Sequence, residues 1–278
     1  MDIFTIKPMK PKKIGQIPSD NDNFIYECKY DGGGGLIQVD KGKAIIWHIG
    51  THGVYEVKRT YRYPLLAKEI QINIKDGLYH CELCVFDHLG FSHHALFQKR
   101  QCEKQFVIDI KAKTFPVVAM IHDILFDGEQ DVRGMALMGR KKLLIDNVTE
   151  GNHIQLVKPY RTADELLAQR EYIEGIVIKD IDSPYLSGKR QGFKYRFNKE
   201  KTVKVTSFEE HQNGNGIILI THDNKRVNLA GNRVEPTRQL LADGNEINVE
   251  ISYYEETNNG YRFPVVKRVI AQGEGRND

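Results

Sequence analysis

Short β-type apolar runs, separated by turn residues such as Gly, Asp and Asn, dominate the chain. Phe24–Lys29, Gly35–Val39, Ala44–Ile49, Tyr79–Phe86, Phe106–Ile110 and Val117–Ile121 are rich in β-branched and aromatic residues, and the pattern predicts strands. Helical spacing is rarer. It predicts helices over Tyr63–Ile72, Arg140–Val148 and, most clearly, Thr162–Glu174, where Thr162 and Asp164 offer capping groups and Leu166, Leu167 and Ile173 recur near the helical period. Strands return at Gly175–Asp180 and around Gly192–Phe197.

After about Asn198 the texture changes. Thr202–Phe208, Gly216–Thr221, Arg226–Ala230, Glu246–Tyr254 and Arg262–Ile270 read as five short strands with Asn/Gly/Asp turns, followed by a solvated tail at Gln272–Asp278. Five strands in about 80 residues predict a small barrel of the oligonucleotide-binding (OB) type, with a β-sandwich appendage as the alternative. The expected organisation is α+β: a first domain over 1–199, in which antiparallel sheets carry flanking helices, and an all-β domain over 200–278.

Composition narrows the class without choosing a partner. The 278 residues hold 40 Lys+Arg against 37 Asp+Glu, with 40% hydrophobic and 28% charged residues, which excludes wholesale disorder. No apolar run approaches the roughly 18 residues that span a bilayer, and the N-terminal stretch has no apolar core of the signal-peptide kind. The expectation is a cytoplasmic protein. Cys28, Cys81, Cys84 and Cys102 are too few for a disulfide framework, and Cys81-x-x-Cys84 lacks a matching ligand pair for zinc, so the cysteines read as small core residues.

The net charge of +3 hides a local concentration. From Tyr185 to Lys204 the basic residues are Lys189, Arg190, Lys194, Arg196, Lys199, Lys201 and Lys204, against Glu200 alone, with aromatics interleaved. Lys7, Lys10, Lys12 and Lys13 form a second cluster, and Lys58, Arg59 and Arg62 a third. Such patches neutralise phosphates and bind nucleic acid in a salt-dependent way.

The most informative stretch is Tyr26-Glu-Cys-Lys-Tyr-Asp-Gly32, running into three more glycines. A lysine at a strand end before a glycine-rich turn can be aimed into a cleft, where its neutral form attacks phosphorus. Lys29-Tyr-Asp-Gly32 resembles motif I of the covalent nucleotidyltransferases, the ATP-dependent DNA ligases, RNA ligases and mRNA capping enzymes. Further segments follow in that family's order: Cys81-Glu82-Leu83, Asp123-Ile-Leu-Phe-Asp-Gly128 with Arg140-Lys-Lys-Leu-Leu144 after it, Glu174-Gly-Ile-Val-Ile-Lys179, and Lys194-x-Arg196 behind Gly188-Lys-Arg190. Lys7-Pro-Met9 is similar to a ligase opening, and the resemblance spans roughly residues 6–270.

Among these enzymes the resemblance is to a minimal two-domain DNA ligase, a nucleotidyltransferase domain followed by an OB-fold domain. It implies ATP as donor, Mg²⁺ as cofactor and nicked double-stranded DNA as the partner of a monomer. Lys29 would take AMP, pass it to a 5′-phosphate, and the 3′-hydroxyl would displace it. By the same resemblance Glu27, Cys28, Glu82, His122, Lys179, Lys194 and Arg196 would meet the nucleotide. Glu27 would accept from the adenine amino group. Glu174 and Glu82 would hold the metal, while Lys189, Arg190, Lys199, Lys201 and Lys204 would meet DNA. Lys194 and Arg196 alternate along a strand, so both face one way. An RNA ligase or capping-type enzyme, or a DNA-binding relative with reduced turnover, are the alternatives.

The chain also departs from the family pattern. Gly34 stands where the motif I arginine usually holds the ribose, Thr51 where a second arginine follows a serine, and His122 where an aromatic stacks on adenine. A C-terminal RxDK would fall at Ile270–Gly273 and is absent. These differences imply weak or altered nucleotide use with Lys29 still accepting AMP.

Overall fold

The structure is a computed structural model, which describes residues 6–19, 21–49, 53, 55–212, 214, 216–257 and 260–270. Thr51, the end of the Ile270–Gly273 segment and the Gln272–Asp278 tail lie outside the described residues. The chain divides into two compact units, Met1–Tyr195 and Arg196–Asp278.

In chain order the first unit contains β1 (Lys10–Lys13), β2 (Phe24–Lys29), β3 (Gly33–Asp40), β4 (Lys43–Ile49), β5 (Tyr55–Lys58), α1 (Pro64–Asn73), β6 (Gly77–Cys84), α2 (His94–Lys99), α3 (Gln105–Thr114) and β7 (Val118–Asp127). It continues through β8 (Gln130–Asp131), α4 (Leu137–Asn147), β9 (Ile154–Leu156), β10 (Pro159–Tyr160), α5 (Asp164–Leu167), β11 (Gly175–Asp180) and β12 (Arg190–Arg196). Two sheets result. One has the order β1-β12-β11-β2-β10, and the other β5-β4-β3-β6-β7-β8 with β9 paired to β7.

The core lies where α1, α2 and α4 bury one face of the larger sheet. Ile37, Ile46, Tyr79, Cys81, Ile121 and Ile124 pack there with Leu66, Ile70 and Leu144. Cys84, three residues after Cys81 and therefore on the opposite strand face, packs with Met120 and Val157 instead. The two thiols of the C-x-x-C pair thus serve different cores.

Two predicted elements differ from the observed ones. Phe106–Ile110, expected as a strand, lies inside helix α3. Its alternation of Phe106, Ile108 and Ile110 comes from residues on two helix faces: Ile108 and Ala112 are buried, while Phe106 is 75% and Ile110 49% exposed. The expected helix Thr162–Glu174 is a single turn, α5. Thr162 Oγ1 meets the Asp164 carboxylate at 3.3 Å instead of capping the backbone. Tyr172 turns outward to stack on Phe91 at 4.7 Å, so no continuous apolar stripe remains to sustain the helix.

The second unit contains β13 (Lys199–Glu210), β14 (Gly216–Thr221), β15 (Arg226–Ala230), α6 (Val234–Ala242), β16 (Ile247–Tyr253), β17 (Glu255–Thr257), β18 (Gly260–Arg262) and β19 (Val265–Ile270). Its sheet order is β17-β18-β15-β14-β13-β16-β19, around Val205, Ile217, Leu219, Val249 and Ile251. Helix α6, which the strand pattern does not announce, buries Leu241 in this core.

Candidate active site

Strand β2 delivers Lys29 at its C-terminal end, and antiparallel pairing with β11 sets Lys29 opposite Gly175. That register brings Glu174 alongside: Lys29 Nζ lies 2.5 Å from Glu174 Oε2, with Glu174 buried and Lys29 partly exposed. The residues after the lysine are held by α2. Asp31 Oδ2 accepts from the His94 backbone N–H at 3.1 Å, Ser92 Oγ accepts from the Asp31 N–H at 3.0 Å, and His94 Nδ1 bonds Gly32 O at 2.8 Å. A Cβ at Gly32 would sit 2.2 Å from Leu83 O, so the turn behind the lysine requires glycine there.

A cavity of about 210 Å³ opens beside Lys29 within the first unit. Glu27, Cys28, Lys29 and Glu82 line it, as do His122, Lys179 and Lys194, with Met9 and Pro11 on its wall. Seven sequence-predicted nucleotide residues, separated by up to 167 positions, therefore converge. Glu27 is buried and carries two cations: Lys179 Nζ lies 2.7 Å from Oε2, and Lys141 Nζ pairs with Oε1. Burial alone would raise the Glu27 carboxyl, yet Lys141 and Lys179 outweigh it and hold it below the ordinary carboxylate range.

His122 and His80 form a tilted pair with ring centres 4.3 Å apart. Burial depresses both, His80 to about 4, so at neutral pH these rings are uncharged. Glu82 faces Gly34 across the β3–β6 ladder. Burial pushes its carboxyl up to about 7, with Lys29 opposing and Glu174 and Asp31 reinforcing the rise. Two carboxyl groups, Glu174 and Glu82, therefore converge on Lys29. Among the described residues no group of three or more His, Cys, Asp or Glu side chains forms a metal cage. The donors suit a hard cation that takes one or two carboxylates and finds its remaining oxygens on a bound phosphate.

Cys28 is a thiol in this cavity, pushed up to about 12 mainly by burial, and so is not a nucleophile near neutral pH. The pair that sequence reasoning missed is Arg140 and Lys141. Arg140 is fully buried and clamps Asp123 through two bonds of 2.7 and 3.0 Å, which fixes α4 and aims Lys141 at Glu27. A lysine on the predicted α4 helix beside a buried arginine was the available signal, but nothing in the sequence ties it to Glu27.

The remaining predicted residues are not all gathered. Arg196 belongs to the second unit, where its guanidinium stacks 3.8 Å from the Phe263 ring centre. Lys189, Arg190 and Lys199 are exposed. Lys201 and Lys204 are exposed too but already paired, Lys201 with Glu256 at 3.2 Å and Lys204 with Glu246 at 2.5 Å. The N-terminal basic cluster joins the later one: β1 pairs in parallel with β12, aligning Lys10 with Arg190 and Lys13 with Lys194. Lys7, Lys10, Lys12, Lys189 and Arg190 have no ion-pair partner among the described residues.

A family model described as the ATP dependent DNA ligase domain matches residues 8–196, well over half of the chain. The protein belongs to the ATP-dependent DNA ligase family. It is a ligase that seals DNA nicks by ATP-dependent ligation. Solved structures share its fold at low sequence identity. A mycobacterial DNA ligase D complexed with ATP and MES superposes with TM-score 0.58 at 17% identity, covering 98% of this ligase and 97% of that chain. The ligase domain of M. tuberculosis LigD gives 0.57 at 16%, with 97% and 96% coverage. A Lig E DNA ligase, described as binding DNA with a minimal scaffold, gives 0.67 at 16%, with 95% and 98% coverage. Sequence comparison with curated proteins finds no match. Among the described residues no helix is long and apolar enough to cross a membrane.

Proposed function

We propose that this ligase works on nicked duplex DNA through an AMP carried on Lys29, with the nucleotide seated in the cavity beside β2. The observation that carries the reading is the convergence on one cavity of Lys29, Glu27, Glu82, Lys179 and Lys194, with Glu174 at 2.5 Å from the lysine. Glu174 Oε2 is in position to take the proton that Lys29 Nζ must lose before it attacks. A P–N bond to the α-phosphorus then forms, and the P–O bond to pyrophosphate breaks. Lys194 offers a cation at the cavity for the α-phosphate charge.

In the second step a 5′-phosphate oxygen attacks the same phosphorus, and the P–N bond breaks, leaving Lys29 free. In the third the 3′-hydroxyl attacks the 5′-phosphorus and AMP departs with the bonding electrons. Glu27 accepts from the adenine amino group, and neutral His122 offers its ring face to the base. Glu82 and Glu174 would hold Mg²⁺, which when bound would supply charge neutralisation for the phosphates.

The second unit reads as an OB-fold barrel, supported by β13 pairing with both β14 and β16, by α6 between β15 and β16, and by the parallel pairing of β15 with β18. Lys189, Arg190 and Lys199 supply phosphate contacts. The test is label transfer: with α-labelled ATP and Mg²⁺ the enzyme retains label, the Lys29→Ala variant retains none, and it seals no nicked duplex. Unchanged sealing by Lys29→Ala overturns the covalent route.

A further inference from the structure

Lys141 takes no part in the steps above, yet it is buried and directed at the one carboxylate assigned to the base. Its Nζ and Glu27 Oε1 face each other as an ion pair, and neither atom makes a directed hydrogen bond to another group among the described residues. We propose that Lys141, acting with Lys179, is a positioning residue that holds Glu27 as a fixed, acceptor-only carboxylate and thereby makes the cavity select adenine over 6-oxopurines. The inference rests on the reading that Glu27 meets the base.

The chemistry follows from what each base presents. Adenine carries an amino donor at C6 beside an N1 acceptor, whereas hypoxanthine and guanine carry a carbonyl acceptor beside an N1–H donor. An ionised carboxylate only accepts, so it matches the amino group and is repelled by the carbonyl oxygen. A protonated carboxyl can donate, and it would welcome that oxygen. Which base fits best therefore depends on whether Glu27 keeps its charge. A carboxylate this buried takes up a proton unless paired.

The groups facing Glu27 come from four elements. Lys179 reaches it from β11, Lys141 from α4, His80 from β6, and His122 with Asp123 from β7. The two imidazoles are neutral and Asp123 is engaged by Arg140, which leaves the lysines as the cations that act on Glu27. They also divide the work: Lys179 takes Oε2 and Lys141 takes Oε1, so the carboxylate plane is held at both ends.

The experiment is self-labelling of the enzyme with α-labelled ATP and, separately, α-labelled ITP from pH 6 to 8. Lys141→Met is expected to lower the ATP-over-ITP preference at least ~10-fold, because a site built to pair one polar edge otherwise rejects the other strongly. The loss should deepen as pH falls, since Glu27 then takes up a proton. Lys141→Gln, which keeps a donor without the charge and disturbs packing less, should relax the preference likewise, and Lys141→Arg should keep most of it. Sealing of a pre-adenylylated nick reports whether each variant is folded. An equal loss with both nucleotides, or a preference unchanged at every pH in folded variants, overturns the proposal. Glu27→Gln separates the two levels. If it leaves the preference intact, Glu27 does not read the base and the underlying reading fails. If it relaxes the preference while the Lys141 variants do not, only the role of Lys141 fails.

Discussion

Replacing Arg140 by Leu should be among the most damaging single changes in the first unit, and its size can be worked out bond by bond. The side chain is 0% exposed. Nε and Nη2 donate to the two oxygens of Asp123 at 2.7 and 3.0 Å, while Nη1 donates to Ser183 O at 3.0 Å and to Met135 O at 2.5 Å. Leucine leaves the buried Asp123 carboxylate with only the Ile124 N–H at 2.9 Å. Breaking a buried pair from one side costs about 3–5 kcal/mol, and each carbonyl deprived of its donor adds about 1 kcal/mol. The low end of that sum, about 5 kcal/mol, is already a large share of the roughly 5–15 kcal/mol of a whole domain.

The chain contains one tryptophan, Trp47, buried in the first unit, so its fluorescence reports unfolding there. In urea at pH 7.5, Arg140→Leu should move the midpoint sharply downward, with a melting temperature lower by about 10–20 °C at roughly 2–4 °C per kcal/mol. Asp123→Leu combined with Arg140→Leu should recover most of the loss, because no stranded charge remains. A loss under about 1 kcal/mol for Arg140→Leu, or strictly additive costs in the double variant, would refute the view that this pair anchors α4.

Three further outcomes are expected. His48 is depressed to about 4 by burial, with Arg62 and Arg59 adding to it, so the folded ring stays neutral where the unfolded one protonates; its own contribution to stability, beside those of His80, His122 and Glu82, should be flat above about pH 6.5 and fall toward pH 4 by up to ~1.4 kcal/mol per unit. In pH-dependent urea titrations His48→Phe should flatten that decline, and an unchanged slope would exclude His48 as its source. For nicked duplex, Lys10→Ala with Arg190→Ala should make the slope of log K against log[salt] shallower by about 2, whereas Lys201→Ala with Lys204→Ala, already paired to Glu256 and Glu246, should change it by less than 1. Gly34→Arg has room, since a Cβ there meets Ile49 only at 3.5 Å and Glu82 at 3.9 Å; the KM for ATP in self-labelling should fall about tenfold, the value of ~1.4 kcal/mol from one charge-assisted bond.

The sequence made some of these features legible because local chemistry demands them, and hid others that only space creates. Lys29 and Gly32 leave a local trace, a strand-end lysine before a turn that excludes a Cβ, whereas Glu174 stands out only through the resemblance of Glu174–Lys179 to the ligase pattern; the register Lys29↔Gly175 joins them. The strands β2, β11, β14 and β15 were legible in full because short runs of β-formers bounded by turn residues need no distant information. Helix α3 was not. Apolar residues on its solvent side, Phe106 and Ile110, gave it the period of a strand.

Charge was the least legible property, and the reason decides how DNA binding should be sought in this ligase. Counting along the chain gives seven cations against one acid between Tyr185 and Lys204. In space that strip divides. Two of the three lysines of β13, Lys201 and Lys204, meet acids that arrive some 40–55 residues later: Glu246 sits just before β16, β13's partner strand, while Glu256 comes on β17, at the end of the sheet order. On β12, Arg190 lies opposite Lys10 of β1, and residues 6–19, which include β1, contain no acid. An ion pair already made must be broken before a phosphate can replace it, which removes most of the gain from counterion release. The proposed DNA contacts are therefore expected to concentrate on the β1–β12 edge, whose Lys13↔Lys194 end adjoins the cavity that holds Lys29. An acid-free edge strand laid beside a second basic strand is a better guide to the DNA-binding surface than any count of lysines in sequence.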